Sequence, residues 1–446
     1  MDIITVDIAA AEAAQKEQKA ALTAKEAAEK KAEEEARNEP VVTVDLRPAK
    51  VRAKAAPRAA VMGASAVLCT ALLFGALSLS LPKKEFSETE NRVLAGAPQF
   101  SVSAFLKGDF QSGFETWFAD HFVGRDTFSA LHRLVQSVAG SREAGGVYLG
   151  EEDRLFLIPT TPEEENVTAL ADAINAFASA YPEQKYLFAV APNAVWTQRK
   201  YLPPYAEAPD QQAQLAAFAK RLKNVKTVDL CKALSAHSDE YIYYRTDHHW
   251  TSLGAKYAFE EIAAQLETGP LVKKYETHTL SETFEGTLAA KSGSHKVKDS
   301  IEIWLPETDI AYYVNYADGG EAESSMYRRA FLDTRDQYAV FFGGNHALVR
   351  IRTTADTGRK LLVFKDSYAN AAMQFLYPYF EEIVMVDPRY YYDSLIPVMN
   401  QYGITDVLYL YNADTFFNDT SLADVLLEAA ETPEPAPGSG TEGSVG

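Results

Sequence analysis

The sequence predicts a doubly wound α/β domain on a parallel sheet, carrying a β-rich insertion and preceded by a single transmembrane helix. Three observations carry this reading. Beyond about residue 145, short apolar runs alternate with stretches of helical spacing. Between residues 268 and 355 that rhythm gives way to sequence rich in Thr, Tyr and Gly. Ahead of both, no charged residue interrupts the apolar stretch from Ala59 to Leu81.

That stretch, AAVMGASAVLCTALLFGALSLSL, supplies the roughly 20 apolar residues needed to cross a bilayer as a helix. A buried core helix would show a polar face. A cleaved signal peptide would carry its positive region at the extreme N-terminus, whereas 58 residues precede this run. Arg47, Lys50, Arg52, Lys54 and Arg58 crowd its N-terminal side, against Lys83, Lys84 and Arg92 beyond it. The positive-inside bias then puts the N-terminus in the cytoplasm and the main domain outside a cell membrane crossed once. Residues 1–58 form a charged cytoplasmic tail with 11 acidic and 11 basic residues, its membrane-proximal end suited to an anionic inner leaflet. Within it KEQKAALTAKEAAEKKAEEEAR (residues 16–37) reads as a solvated helix or tail, or as a partner-binding helix; it lacks an apolar heptad seam.

The formal charge of −19 therefore falls on residues 82–446. An acidic surface cannot displace the counterions of a polyanion, so nucleic acid is excluded as a partner. With Cys69 and Cys231 alone, a disulfide scaffold, a cysteine zinc cluster and an iron–sulfur site are excluded too.

Residues 82–145 read as a helical N-terminal segment of the outer domain, with Phe105, Phe110, Phe114 and Phe118 available to one face of a helix from Val102 to Phe118. The α/β domain follows over residues 146–430. Its buried strands are expected in YLFAVAP (186–192), KTVDL (226–230), KLLVFKDS (360–367), EIVMVD (382–387) and DVLYLYN (406–412). Helices are expected at 165–181, 210–223, 252–266, 369–377 and 392–402. The insertion, residues 268–355, holds alternating runs such as SIEIWLP and AYYVNYA and reads as antiparallel. The Pro/Gly-rich end, residues 431–446, is expected to be disordered.

In sheets of this kind ligands collect at the C-terminal ends of the strands, and three polar clusters fall there. The first is RTDHHWTSLGA, Arg245 to Ala255. On an extended stretch Asp247 and His249 project to one side, so the carboxylate accepts from Nδ1 and leaves Nε2 free as a base. His248 would then point the other way, and Thr251-Ser252 would cap the next helix. The competing reading packs the two histidines and Trp250 against the core. The second cluster is LLVFKDSYANA, Leu361 to Ala371, where Ser367 is either a nucleophile beside the N–H groups of a helix N-terminus or a plain N-cap. The third is the end of DVLYLYN, where Asn412 offers either an oxyanion-binding amide or a turn. Gly343, Gly344 and Asn345 in FFGGNHA form a comparable loop. His248, Trp250, Lys365, Asp366, Gly344 and Asn345 are candidates to touch substrate. A zinc site of His248, His249 and His237 would need adjacent histidines to converge on one ion, and a two-metal phosphoesterase would need an Asp-x-Asp motif upstream. We therefore expect neither metal nor cofactor.

Together the clusters resemble the DHHW family, named for the tetrapeptide present here as Asp247-His248-His249-Trp250. More distantly the chain is similar to the alginate O-acetyltransferase-type SGNH hydrolase-like proteins. The resemblance covers roughly residues 82–430. It includes ENRVLAGAP (Glu90 to Pro98), the Asp120–Arg125 segment, Asp-x-His-Trp and the late Asp-Ser. It implies an SGNH-type fold in circularly permuted order, with the Asp/His pair ahead of the Ser strand. Carried over by motif, Ser367 is the nucleophile, His249 the general base and Asp247 its orienting acid, with Asn412 and the Ser367 N–H as oxyanion donors. The Gly expected before Asp-Ser is Lys365 here, and no oxyanion glycine follows EIVMVD. The function so implied is O-acetylation of a cell-surface polysaccharide. The acetyl donor would come from a polytopic membrane-bound O-acyltransferase, beside which the protein's own helix would hold it. An O-acetyl esterase of surface glycans, or a non-catalytic glycan-binding scaffold, are the alternatives. Trp196, Trp304 and Tyr390–Tyr392 would stack on sugar faces, or else serve as ordinary core and surface aromatics.

Overall fold

The apolar stretch becomes α1 (Arg58–Ser80), within which Val61–Ser80 is long and apolar enough to cross a membrane. The computed structural model describes residues 58–84, 86–87, 92–317, 319 and 321–431; the charged tail through residue 57 and the chain from residue 432 lie outside the described residues. The single helix expected from Val102 is broken in two, α2 (Val102–Lys107) and α3 (Asp109–Asp120). Gly108 separates them at φ 90°, a left-handed conformation that ends the first helix and that side-chain-bearing residues adopt only under strain. On α3 the expected face does form, with Phe110, Phe114 and Phe118 in successive ring contacts at 6.4 and 6.0 Å. After α4 (Arg125–Val138) the α/β region begins.

Its sheet has seven strands: β1 (Lys185–Ala191), β2 (Val225–Thr227), β3 (Tyr312–Tyr316), β4 (Leu348–Thr353), β5 (Lys360–Lys365), β6 (Glu382–Val386) and β7 (Asp406–Asn412). In space they lie β3-β4-β6-β5-β7-β1-β2. The five runs expected as parallel strands are parallel neighbours, from β6 through β2. The sheet as a whole is mixed, which corrects the purely parallel expectation. β3 and β4, both from the stretch read as an insertion, extend it antiparallel. The reason is visible in β3, whose alternating YYVNY buries Val314 and leaves Tyr313 exposed, as befits an edge strand. The same stretch also supplies a separate hairpin, Tyr275–Phe284 with Asp299–Pro306.

The central strands are apolar on both faces because both faces are covered. Leu361, Val363, Ile383, Met385, Leu408 and Leu410 pack in one buried cluster. Helices α6 (Ser252–Leu266) and α8 (Tyr368–Leu376) join it through Phe259, Ile262, Met373 and Leu376. Shifting by one residue, Leu362, Phe364, Val384, Val407 and Tyr409 face the second cluster. There α5 (Glu164–Ala180) brings Leu170, Ile174 and Phe177, and α9 (Ser421–Glu431) brings Leu422 and Leu426. A short helix, α7 (Thr287–Ser292), lies between the strands of the hairpin. β1, β5 and β7 run parallel, so their C-terminal residues Ala191, Lys365 and Asn412 share one edge of the sheet, where the polar clusters meet.

Candidate active site

The first cluster is a loop closed by a bridge between Tyr243 and Trp250. Trp250 is fully buried and donates its indole N–H to the carbonyl of Tyr368 at 2.9 Å, so it anchors the loop to α8. It is core, which corrects its reading as a substrate contact. Thr251 then caps α6, accepting from the N–H of Gly254. The loop is bent and not extended. His248 therefore does not point away: its ring centroid lies 3.9 Å from that of His249.

Asp247 is buried, and both its oxygens are engaged. Oδ1 accepts from the His249 N–H at 3.0 Å and from His249 Nδ1 at 2.5 Å. Oδ2 accepts from the Thr287 N–H at 2.7 Å and from its hydroxyl at 2.9 Å. Burial pushes this carboxyl up. The His248 and His249 imidazoles and the hydrogen bonds from His249 and Thr287 outweigh burial and hold it well below the usual carboxylate range. With its hydroxyl hydrogen on Asp247, Thr287 accepts at 2.8 Å from Nδ1 of His248. Burial, followed by the neighbouring His249, lowers His248 to about 3 and keeps it neutral. The other ring nitrogen of His249, Nε2, lies 2.7 Å from Oγ of Ser367. Tyr338 stacks flat on the His249 ring at 3.7 Å and 11°, and its hydroxyl donates to the carbonyl of Ser367.

Ser367 follows β5 directly and stands at the N-cap of α8, yet its side chain caps nothing. Asp366 takes over that duty, accepting from the N–H of Tyr368 at 2.9 Å. From Leu361 to Phe380 every residue but Ser367 is buried. One hydroxyl is thus presented at the sheet edge, hydrogen-bonded to an imidazole that a carboxylate holds by its other nitrogen. Such an arrangement can transfer a proton from the hydroxyl as that oxygen attacks an electrophile.

The other candidates divide. Asn412 is not free to face an oxyanion: its amide hydrogens go to Asp366 Oδ2 at 2.5 Å and to the Thr415 hydroxyl at 2.8 Å. Its side chain also caps the helix Ala413–Asn418, so its part is to fix Asp366, the residue before Ser367. Asp366 is itself fully buried, its carboxyl raised chiefly by that burial. Lys365 is buried as well, its ammonium 2.9 Å from Oδ1 of both Asn345 and Asn370 and 3.6 Å from Asp387. These contacts tie the Gly344–Asn345 loop to the first turn of α8. Gly344, at φ 101°, has open space where a side chain would stand, and its carbonyl accepts from Asn370. Of the aromatics, Trp196 and Tyr391 are buried, Trp304 packs on the core, and Tyr390 and Tyr392 are exposed.

Ligand-type atoms of Asp247, His248 and His249 lie within 4.8 Å of one another and, among the described residues, form a group that could hold a metal. Their hydrogen bonds to Thr287, Ser367 and each other already direct those lone pairs. His237 is elsewhere, stacked on Tyr257 and bonded to Glu240. Sequence reasoning missed Thr287, Tyr338 and Asp299, all within the 268–355 stretch. Asp299 fixes the loop from below, accepting from the Arg245 and Thr246 N–H groups at 2.9 and 2.7 Å. A signal was present in Gly286: a Cβ there would stand 2.2 Å from that of Asp247, so only glycine lets Thr287 approach the carboxylate.

Fold and site together define an α/β protein in which a serine at the end of a parallel strand is hydrogen-bonded to a histidine and aspartate on a neighbouring loop. Residues 90–167 and 205–386 match the DHHW protein family, and the chain belongs to that family. Its fold is similar to that of a DHHW family protein from Eubacterium siraeum, with 28% identity, a TM-score of 0.56, and coverage of 63% of this chain and 95% of that one. It is also similar to PatB1 of Bacillus cereus, solved with a sulfonyl adduct, with 18% identity, a TM-score of 0.52, and coverage of 62% and 96%. The O-acetyltransferase domain of Pseudomonas putida AlgJ stands further off, at 16% identity and a TM-score of 0.39 over 63% and 99% of the two chains. No curated protein matches the chain.

Proposed function

We propose that this protein is a membrane-anchored, extracellular acyl-transfer enzyme that O-acetylates a cell-surface polysaccharide through Ser367, His249 and Asp247, in an SGNH-type fold of permuted order. One observation carries the reading: the Ser367 hydroxyl lies 2.7 Å from His249 Nε2, while Asp247 holds Nδ1 of the same ring. The Asp/His loop precedes the serine strand in the chain, as a permuted order requires.

In the first half-reaction Nε2 takes the Ser367 proton as Oγ attacks the acetyl carbonyl of an ester donor. Asp247 stabilises the imidazolium that forms. The tetrahedral oxyanion is received by the Ser367 N–H at the positive end of α8, with the Gly344–Asn345 loop beside it, since Asn412 is engaged elsewhere. Collapse expels the donor alkoxide, which takes the proton from His249 and leaves an acetyl ester on Ser367. A sugar hydroxyl then attacks that ester, passing its proton to Nε2, and Ser367 is regenerated. Water in place of the sugar makes the protein an esterase, and the partial exposure of Ser367 leaves it within reach of water. A domain outside the cell has no access to cytosolic thioesters. The donor would therefore be delivered by a polytopic membrane O-acyltransferase, beside which α1 would keep the domain.

The test is incubation of the full chain with a chromogenic acetyl ester, followed by mass spectrometry of the Ser367 peptide, with and without a polysaccharide acceptor. Acetyl-Ser367 that is discharged faster by the glycan than by water supports transfer. Discharge unaffected by the glycan makes it an esterase. An unmodified Ser367 and turnover equal to that of Ser367→Ala would refute the catalytic reading and leave a glycan-binding scaffold.

A further inference from the structure

Helix α4 presents an apolar stripe that no protein surface covers among the described residues. Phe128, Leu131, Val135 and Val138 recur at i, i+3, i+7 and i+10, so they line one side of the helix. They are 51, 54, 59 and 82% exposed. Asp126 and Ser129 fall on the opposite side by the same geometry, with His132 at the flank of the stripe. A stripe this long facing water would be a liability, so it marks a contact.

The contact is indicated by what packs at one end of the stripe. The ring of Phe74, in the closing turns of α1, lies 5.9 Å from Phe122 and meets Phe128 edge-on at 6.2 Å. Beside them the Val123 N–H donates to Ser78 Oγ at 2.9 Å. The first residue of the stripe therefore touches the end of the segment that the anchor reading sends out of the bilayer. We infer that α4 is an interfacial helix, its apolar side bedded at the boundary of acyl chains and headgroups in the leaflet from which α1 emerges. A helix of modest length with one polar and one strongly apolar side has the composition for that position. Lipid is the occupant that continuity with α1 favours. The acidic outer domain makes the attachment hydrophobic and not electrostatic. This inference rests on the membrane-anchor reading above. Its consequence is a second attachment point, which would stop the domain from swivelling freely on its stalk.

Site-directed spin labelling of the full chain tests it, in vesicles of phosphatidylcholine with a minor fraction of phosphatidylglycerol. Single cysteines replace Leu131, Val135, Ser129, Asp126 or, as a control in α1, Leu72, in a Cys69→Ser background; Cys231 is buried. Collision with oxygen, which partitions into lipid, is compared with collision with a water-soluble nickel chelate. The Leu131→Cys and Val135→Cys labels should show an oxygen-to-nickel ratio several-fold above Ser129→Cys and Asp126→Cys, and close to Leu72→Cys. Equal ratios at all four α4 positions, with Leu72→Cys still in lipid, overturn the inference alone. Shielding of Leu131→Cys and Val135→Cys from both reagents overturns it in favour of a protein contact. A water-exposed Leu72→Cys label overturns the anchor reading itself.

Discussion

Thr287 donates twice to one oxygen of Asp247, through its backbone N–H at 2.7 Å and its hydroxyl at 2.9 Å. The carboxylate that accepts from His249 Nδ1 is thus held by a residue of the hairpin layer, outside the main sheet. Thr287→Val keeps the N–H bond and removes the hydroxyl. A hydrogen bond to a charged group contributes about 1.5–3 kcal/mol, so turnover of an acetyl ester should fall about ten- to a hundredfold. Unchanged turnover would mean that Asp247 does not act through His249.

Ser367→Ala should lower turnover by on the order of 10³-fold or more. The thermal midpoint should stay within a few degrees of the parent, because the hydroxyl makes no capping bond. A variant that melts much earlier would assign Ser367 a structural duty instead.

Gly286→Ala forces a methyl group to within 2.2 Å of the Asp247 Cβ, with both sides carrying fixed loops. Overpacking of this kind costs about 1–3 kcal/mol. Urea denaturation should show that loss together with reduced activity. A fully stable and fully active variant would mean that the loop yields freely.

His248 gives a dependence on pH. Its folded pKa, about 3, lies below its ordinary 6.5 because of burial and the nearby His249. Between those values the unfolded chain binds the extra proton, so stability rises with pH; the contribution is complete above about pH 6.5 and is lost progressively as the pH falls towards 3. Denaturation at pH 5 should show up to about 2 kcal/mol less stability than at pH 7. His248→Asn, which retains a donor for Thr287, should flatten that slope. An identical slope in the variant would place the titrating group elsewhere.

Lys365→Met removes the donor that Asn345 and Asn370 share, while Asp387 keeps its two bonds from Arg389 at 2.8 and 2.7 Å. Asn345 Oδ1 keeps the bond from Asn370 Nδ2, but the buried Asn370 Oδ1 is left without its donor, which costs roughly 1–3 kcal/mol. Equilibrium unfolding should therefore show a marked loss. Activity should fall less than in Ser367→Ala, since the base and nucleophile remain in place.

The four inner parallel strands, β6, β5, β7 and β1, were legible because burial on both faces writes itself as unbroken apolar runs such as LLVF and VLYLY. β2 is instead a short edge strand, exposed at Lys226 and Thr227. β3 and β4 were harder, since an antiparallel edge strand shares its alternation with a free-standing hairpin. At Ser367 a strand running into Lys-Asp-Ser and a helix supports a cap and a nucleophile equally. The deciding fact, that Asp366 takes the Tyr368 N–H, is a matter of side-chain direction. Trp250 illustrates the reverse: adjacency to His249 in the chain says nothing of which side of a bent loop each occupies. Thr287 and Tyr338 were invisible because they meet the motif only through folding.

Ser367 and His249 have different mechanical footings. Ser367 is rooted in β5, between two buried neighbours at the heart of the sheet, whereas His249 rides on a loop propped from the hairpin layer by Thr287 and Asp299. Drift in that outlying prop can therefore retune or silence the chemistry while the central scaffold stays intact, and grafting the prop between relatives offers a direct handle on how fast the serine reacts.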